Sequence, residues 1–239
     1  MLVLNASQPL FRKNPKLRRA ANYAVDRSAL VRELGPHLAV PADQYLQPRH
    51  LAFRNAHIYP FRPDLRRAKA LAKGKTRSGK AVFYTRDDPL GRSHGAIVKA
   101  NLAKIGLRVD VRPFPINALF ELVNKRGEPF DIGWICWNGP GPADLNLHAY
   151  FDGRTLDLPE HDNYSHFNSP VINRRLDEVS RLTGSAFNRA YADLDADLAR
   201  DYAPAVAYAY MNERTLVSAR TGCVVTNPYF DLAAVCLRR

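Results

Sequence analysis

"KAVFYTRDDPLGRSHGAIVKANLAKIGLRVDVRPFPINALFELVNKRGEPFDIGWICW", residues 80–137, changes its hydrophobic period four times. KAVFYT reads as a strand, and a helical pattern follows from about Gly91 to Ile105. LRVDVRP alternates through Leu107, Val109 and Val111; INALFELVNK returns to a helical period; FDIGWICW is again a strand. Strands alternating with helices of this length predict parallel pairing through right-handed crossovers, so the expected class is α/β. In such sheets ligands collect outside the carboxyl ends of the strands. The third strand ends at GWICWNGPGPADLNLHAYF, residues 133–151, which holds both tryptophans of the chain. A tryptophan suits either core packing or a half-wet binding wall, and both readings stand for Trp134 and Trp137.

Towards the N-terminus, LVLN (2–5) reads as a strand. Asn14-Pro15 is a helix start, with Leu17, Ala21, Ala24 and Val31 recurring on one face. Residues 36–60 lack periodicity and predict a long structured loop; Pro63-Asp64 starts a helix to about Lys73, and GKTRSGK is a linker. Towards the C-terminus, helices are expected over 170–183, with Val171, Leu176 and Val179 inward, and over 186–202, with Phe187, Tyr191, Leu194 and Leu198 inward. AVAYAYM and TLVSA look like strands.

The chain has 239 residues, enough for one large domain, or a domain and a half, with a real core. No run approaches the roughly 18 apolar residues of a membrane helix, and MLVLNASQPLF lacks the parts of an export leader. Cys136, Cys223 and Cys236 have no metal-type spacing, so no metal site and no cofactor are expected from them; they read as three partly buried thiols, Cys223 and Cys236 able to pair in an oxidising compartment. The net charge of +12 points first to nucleic acid, but the basic run from Arg62 to Lys80 contains no stacking aromatic residue. Those charges, like the cluster from Arg12 to Arg19, are read as solvated helix faces, and no nucleic-acid partner is expected. His161 and His166 bracket DNYS in a polar loop and read as solvated surface. Asp87, Asp88 and His94 form no nucleophile–base set, and no catalytic motif occurs, so no enzyme is expected.

NASQPLFRKNPKLRRAANYAVDRSALV resembles the opening of the second lobe in the family-5 solute-binding proteins of ABC transporters, the dipeptide, oligopeptide and nickel group; Asn5, Pro9, Arg18, Ala20, Ala24, Val25, Asp26 and Arg27 carry the pattern. YPFRPDLRRAKAL, GWICWNGPGPADLNLHAYF and NYSHFNSPVINRRLDEV are similar to three further family motifs, in the same order. The resemblance implies a periplasmic-binding-protein-like (type II) lobe, a mostly parallel sheet flanked by helices. It implies a lobe over 1–218 and a return or hinge segment over 219–239, within a parent about twice as long that carries an N-terminal lobe and the leader.

The implied function is binding of a small solute or short peptide for uptake through a membrane permease, outside the cytoplasm. This chain would supply one wall of the interlobe cleft, with Trp134, Ile135, Cys136, Trp137 and Asn138 facing the solute. Peptide-binding relatives place an aspartate in this loop for the ligand's ammonium group; here that position falls on Trp137 or Asn138. A sugar, an uncharged solute or an anionic one is therefore as compatible as a peptide. The alternatives are the solute-sensing half of a transcription regulator and a basic nucleic-acid-binding module. An uncovered wall would also favour self-association of the isolated lobe.

Overall fold

The computed structural model describes residues 1–136, 143–212, 214–225 and 231–238, with side chains described throughout except at 143–146. Its centre is a five-stranded sheet in the order β4-β3-β5-β1-β6, formed by β1 (Leu2–Leu4), β3 (Lys80–Arg86), β4 (Arg108–Phe114), β5 (Ile132–Trp134) and β6 (Ala205–Val206). β3 pairs in parallel with both β4 and β5, as the alternation from residue 80 predicts. β1 runs antiparallel between β5 and β6, with Leu2 opposite Trp134 and Val206. Four strands thus point one way and one opposes them.

The β3-to-β4 connection is α4 (Pro89–Ala103) and the β4-to-β5 connection is α5 (Ile116–Asn124). They step in opposite directions along the sheet, so right-handed crossovers put them on opposite faces. Gly133 marks one of these close approaches: a Cβ there would lie 2.9 Å from Val123 of α5 and 3.0 Å from Val3. The glycine before Trp134 is therefore a packing requirement.

The first helical region divides in two. α1 (Pro15–Ala24) takes Asn14 as N-cap and Pro15 in its first turn, then breaks at Val25, which is extended. Asp26 accepts from the Ala29 N–H (2.8 Å) and starts α2 (Arg27–Leu34), so Val31 is off the α1 face and only half-buried. The break suits Arg27, which is fully buried and donates to the carbonyls of Asn22, Ala42 and Ala207 and to Asn22 Oδ1. α3 (Leu65–Ala72) is capped by Asp64 as expected.

Residues 36–60 are a loop apart from the short β2 (Ala39–Pro41), which pairs with β7 (Ala209–Met211). Beyond the sheet, α6 (Ala143–Phe151), α7 (Pro170–Ser180) and α8 (Gly184–Asp197) pack on one another.

Besides the placement of Val31, four expectations need correction. Val171 is 46% exposed while Ile172 is buried, because 172, 176 and 179 is the true helical stripe and Val171 sits one residue off it. TLVSA forms no strand and its residues are exposed. Cys223 and Cys236 form a disulfide joining β8 (Thr221–Gly222) to β9 (Cys236–Leu237), so only Cys136 is a free thiol. His166 is not solvated: it is 5% exposed and its Nε2 lies 3.0 Å from the Val123 carbonyl, while His161 packs edge-on against it, half-buried.

The two basic clusters are surface-exposed, apart from buried Arg18 and half-buried Arg19. Large exposed apolar residues gather in the C-terminal segment, where Leu216, Leu232 and Leu237 are mostly uncovered. No helix among the described residues is long and apolar enough to cross a membrane.

Candidate functional site

The carboxyl ends of the parallel strands bring Arg86, at the end of β3, beside Trp134, at the end of β5. The Arg86 guanidinium lies over the indole, 4.9 Å from its centre, in cation–π contact. Its position is fixed by Asp88, which pairs with Arg86 and also caps α4 by accepting from the Gly91 N–H (2.7 Å). Burial alone would raise the Asp88 carboxyl; the Gly91 N–H and the Arg86 charge outweigh it and hold the group below its ordinary range. Gly91 has to be glycine, since a Cβ would sit 2.1 Å from the Arg86 carbonyl oxygen.

Trp134 is 6% exposed and its Nε1–H donates to the Tyr208 hydroxyl at 2.9 Å. Tyr208, just past β6, in turn lies 3.4 Å from His94 Nδ1, and His94 Nε2 lies 3.0 Å from the Leu30 carbonyl. A carbonyl can only accept, so Nε2 carries the hydrogen and Nδ1 is left to accept from Tyr208. The result is a buried, directed chain: indole N–H to phenol, phenol to imidazole, imidazole to backbone. His94 is fully buried; burial lowers its pKa, against the smaller raising effect of the Leu30 carbonyl. Tyr208 is pushed up by burial. Both are neutral near pH 7, as the chain requires.

The expected site residues divide accordingly. Trp134 is at the strand end, with its ring between Arg86 and Tyr208. Ile135 is fully buried, and its N–H continues the ladder to the Met1 carbonyl (3.1 Å). Cys136 is half-buried with a free thiol. Trp137 and Asn138 lie outside the described residues.

Arg86 and Tyr208 were not singled out from sequence. Arg86 follows a predicted strand and could have been found by the same strand-end rule as Trp134. Tyr208 comes from 74 residues away, and nothing local announces it. Among the described residues no group of three or more His, Cys, Asp or Glu could hold a metal ion.

No curated protein sequence matches the chain. Solved structures share its fold. They include clavulanic acid biosynthesis oligopeptide binding protein 2 (20% identity, TM-score 0.84, all of this chain and 46% of that one). HbpA2 from Haemophilus parasuis matches at 20% identity and TM-score 0.79, over all of this chain and 48% of that one. DppA from Helicobacter pylori, solved with the peptide STSA, matches at 21% identity and TM-score 0.73, over all of this chain and 46% of that one. The chain thus spans about half the length of these structures, and its fold is that of a type II periplasmic-binding-protein lobe. Residues 1–156 match the profile of the bacterial extracellular solute-binding proteins, family 5 Middle, and the chain belongs to that family.

Proposed function

We infer that the chain is the second ligand-binding lobe of a two-lobe solute receptor, residues 1–218 forming the lobe and 219–239 the return segment. Solute binds between this lobe and an N-terminal one, and closure buries it for delivery to an ABC permease outside the cytoplasm. The observation that carries this reading is the pairing of Arg86 and Trp134 at the carboxyl edge of three parallel strands, where an α/β sheet meets its ligand.

In this reading the segment from Trp134 to Asn138 is the wall. Trp134 is its rigid back, braced by Tyr208; Ile135 anchors the segment in the core; Cys136, Trp137 and Asn138 face the solute. With Trp137 and Asn138 where peptide receptors carry an aspartate, and Arg86 beside the wall, the preferred head group is uncharged or anionic rather than a free ammonium.

The test is calorimetric titration of the full-length protein with a panel of dipeptides, sugars and carboxylates. Trp134→Ala should weaken the best binder by roughly 2 kcal/mol, as buried aromatic anchors do. Asn138→Asp should weaken it too, by placing an unpaired carboxylate in a closing cleft. Unchanged affinity in both variants would remove this segment from the pocket.

A further inference from the structure

The opposite pole of the sheet carries a cavity, independent of the wall. Where β1 runs out through Ala6 and Ser7, the chain turns through Arg12 and Lys13 into α1. That turn, the loop before α7 and the turn after α8 enclose a cleft of about 590 Å³. Arg12, Lys13, Arg18 and Arg126 line it, over a floor that includes Phe167 and Tyr202. Lys13 is held at the rim in a left-handed backbone conformation (φ 51°), which a non-glycine residue adopts only at a cost.

Arg126 is paired with Asp157 at 3.1 Å, but among the described residues the other three cations of the cleft have no such match. Arg18 is 4% exposed, and its Nε and Nη1 donate to the neutral carbonyls of Tyr202 (2.7 Å) and Phe11 (2.6 Å). Among the described residues its Nη2 has no hydrogen-bond partner, and no ion pair includes Arg12, Lys13 or Arg18. Buried charges are normally paired, because an uncompensated one is costly to desolvate. The one carboxylate lining the cleft, Asp201, is half engaged by Arg200 at 3.4 Å. Two helices also start at the cleft: Pro15 opens the 10-residue α1, and Ser169 caps the 11-residue α7. Their positive dipole ends add to the same field.

We propose that this cleft binds a small, multiply charged oxyanion, a phosphate ester or polycarboxylate, with Arg18 Nη2 at its base and Arg12 and Lys13 at its rim. Arg18 supplies a fixed, desolvated fork suited to oxygen pairs, and the exposed rim cations supply charge without fixed geometry. The apolar floor accommodates the ligand's carbon skeleton.

The experiment titrates the full-length protein calorimetrically with pyrophosphate and with citrate at ~0.15 M salt, where exposed charges more than about 8 Å apart are screened. One saturable site per chain is expected. Arg12→Gln with Lys13→Gln should weaken it at least tenfold, Asp201→Asn should tighten it, and Lys69→Gln with Lys73→Gln on α3 should leave it unchanged. A parallel arm sediments the protein with phosphatidylglycerol vesicles. Binding there that is lost in the Arg12/Lys13 variant supports the site and assigns the oxyanion to a lipid headgroup rather than to a soluble ligand. No saturable binding of either anion below about 10 mM with no vesicle binding, or equal loss in the α3 control, overturns the proposal.

Discussion

Tyr208→Phe removes one oxygen from the buried chain behind Trp134 and little else, so its cost can be worked from two contacts. The Trp134 N–H loses its acceptor at 2.9 Å, inside a residue 6% exposed, and His94 Nδ1 loses a weaker donor at 3.4 Å. A buried polar group stranded without a partner costs about 1–3 kcal/mol, and a long hydrogen bond contributes little beyond that. The expected destabilisation is therefore about 2 kcal/mol, read as a shift in the urea midpoint at unchanged m-value.

The pH profile tests the other end of the chain. Burial depresses the folded pKa of His94 below its unfolded value near 6.5, so between the two the unfolded state binds more protons. His94's contribution is fully present above pH ~6.5 and is lost as pH falls through the folded pKa. His50, His161 and His166 are depressed by burial as well and act with the same sign. His94→Gln should accordingly remove about one proton's worth of slope below pH ~6.5 and leave the rest. A Tyr208→Phe cost under ~0.5 kcal/mol, together with an unchanged slope in His94→Gln, would refute the chain as drawn.

Two further predictions concern the scaffold. Arg27→Met leaves the carbonyls of Asn22, Ala42 and Ala207 without their buried donor and should cost about 3–5 kcal/mol in chemical denaturation, a loss Arg27→Lys recovers only in part because one ammonium cannot span the same acceptors. Reduction of Cys223–Cys236 should speed amide exchange across 221–238 while leaving the main melting transition in place, since both β8 and β9 stand outside the five-stranded sheet.

The parts of the fold read correctly from sequence are those with local signals. Period changes between residues 80 and 137 locate three strands and two helices, and Asn14 and Asp64 announce helix starts because a short polar side chain can satisfy a free N–H. The misreadings share a different cause. Val171 and Ile172 are adjacent apolar residues, and only the packing of α7 decides which is inward. The Cys223–Cys236 bond and the contacts of His166 depend on chain returns that spacing does not encode. For the candidate site, strand-end logic located Trp134, but Tyr208 and His94 reach it across 74 and 40 residues, beyond any motif.

The placement of β1 has a consequence for synthesis. Within this sheet Leu2–Leu4 is the earliest strand made, yet its two neighbours are β5, about 130 residues later, and β6, about 200 residues later. At roughly 5–20 residues per second, those three apolar residues wait about 10–40 s for both edges to be covered. The sheet cannot grow outward from β1; β3, β4 and α4 can assemble first, and β1 then closes it as a late insertion between strands already present. During that interval a bare Leu-Val-Leu strand is open to pairing with other chains, so the earliest strand of this sheet is the one most dependent on chaperone cover.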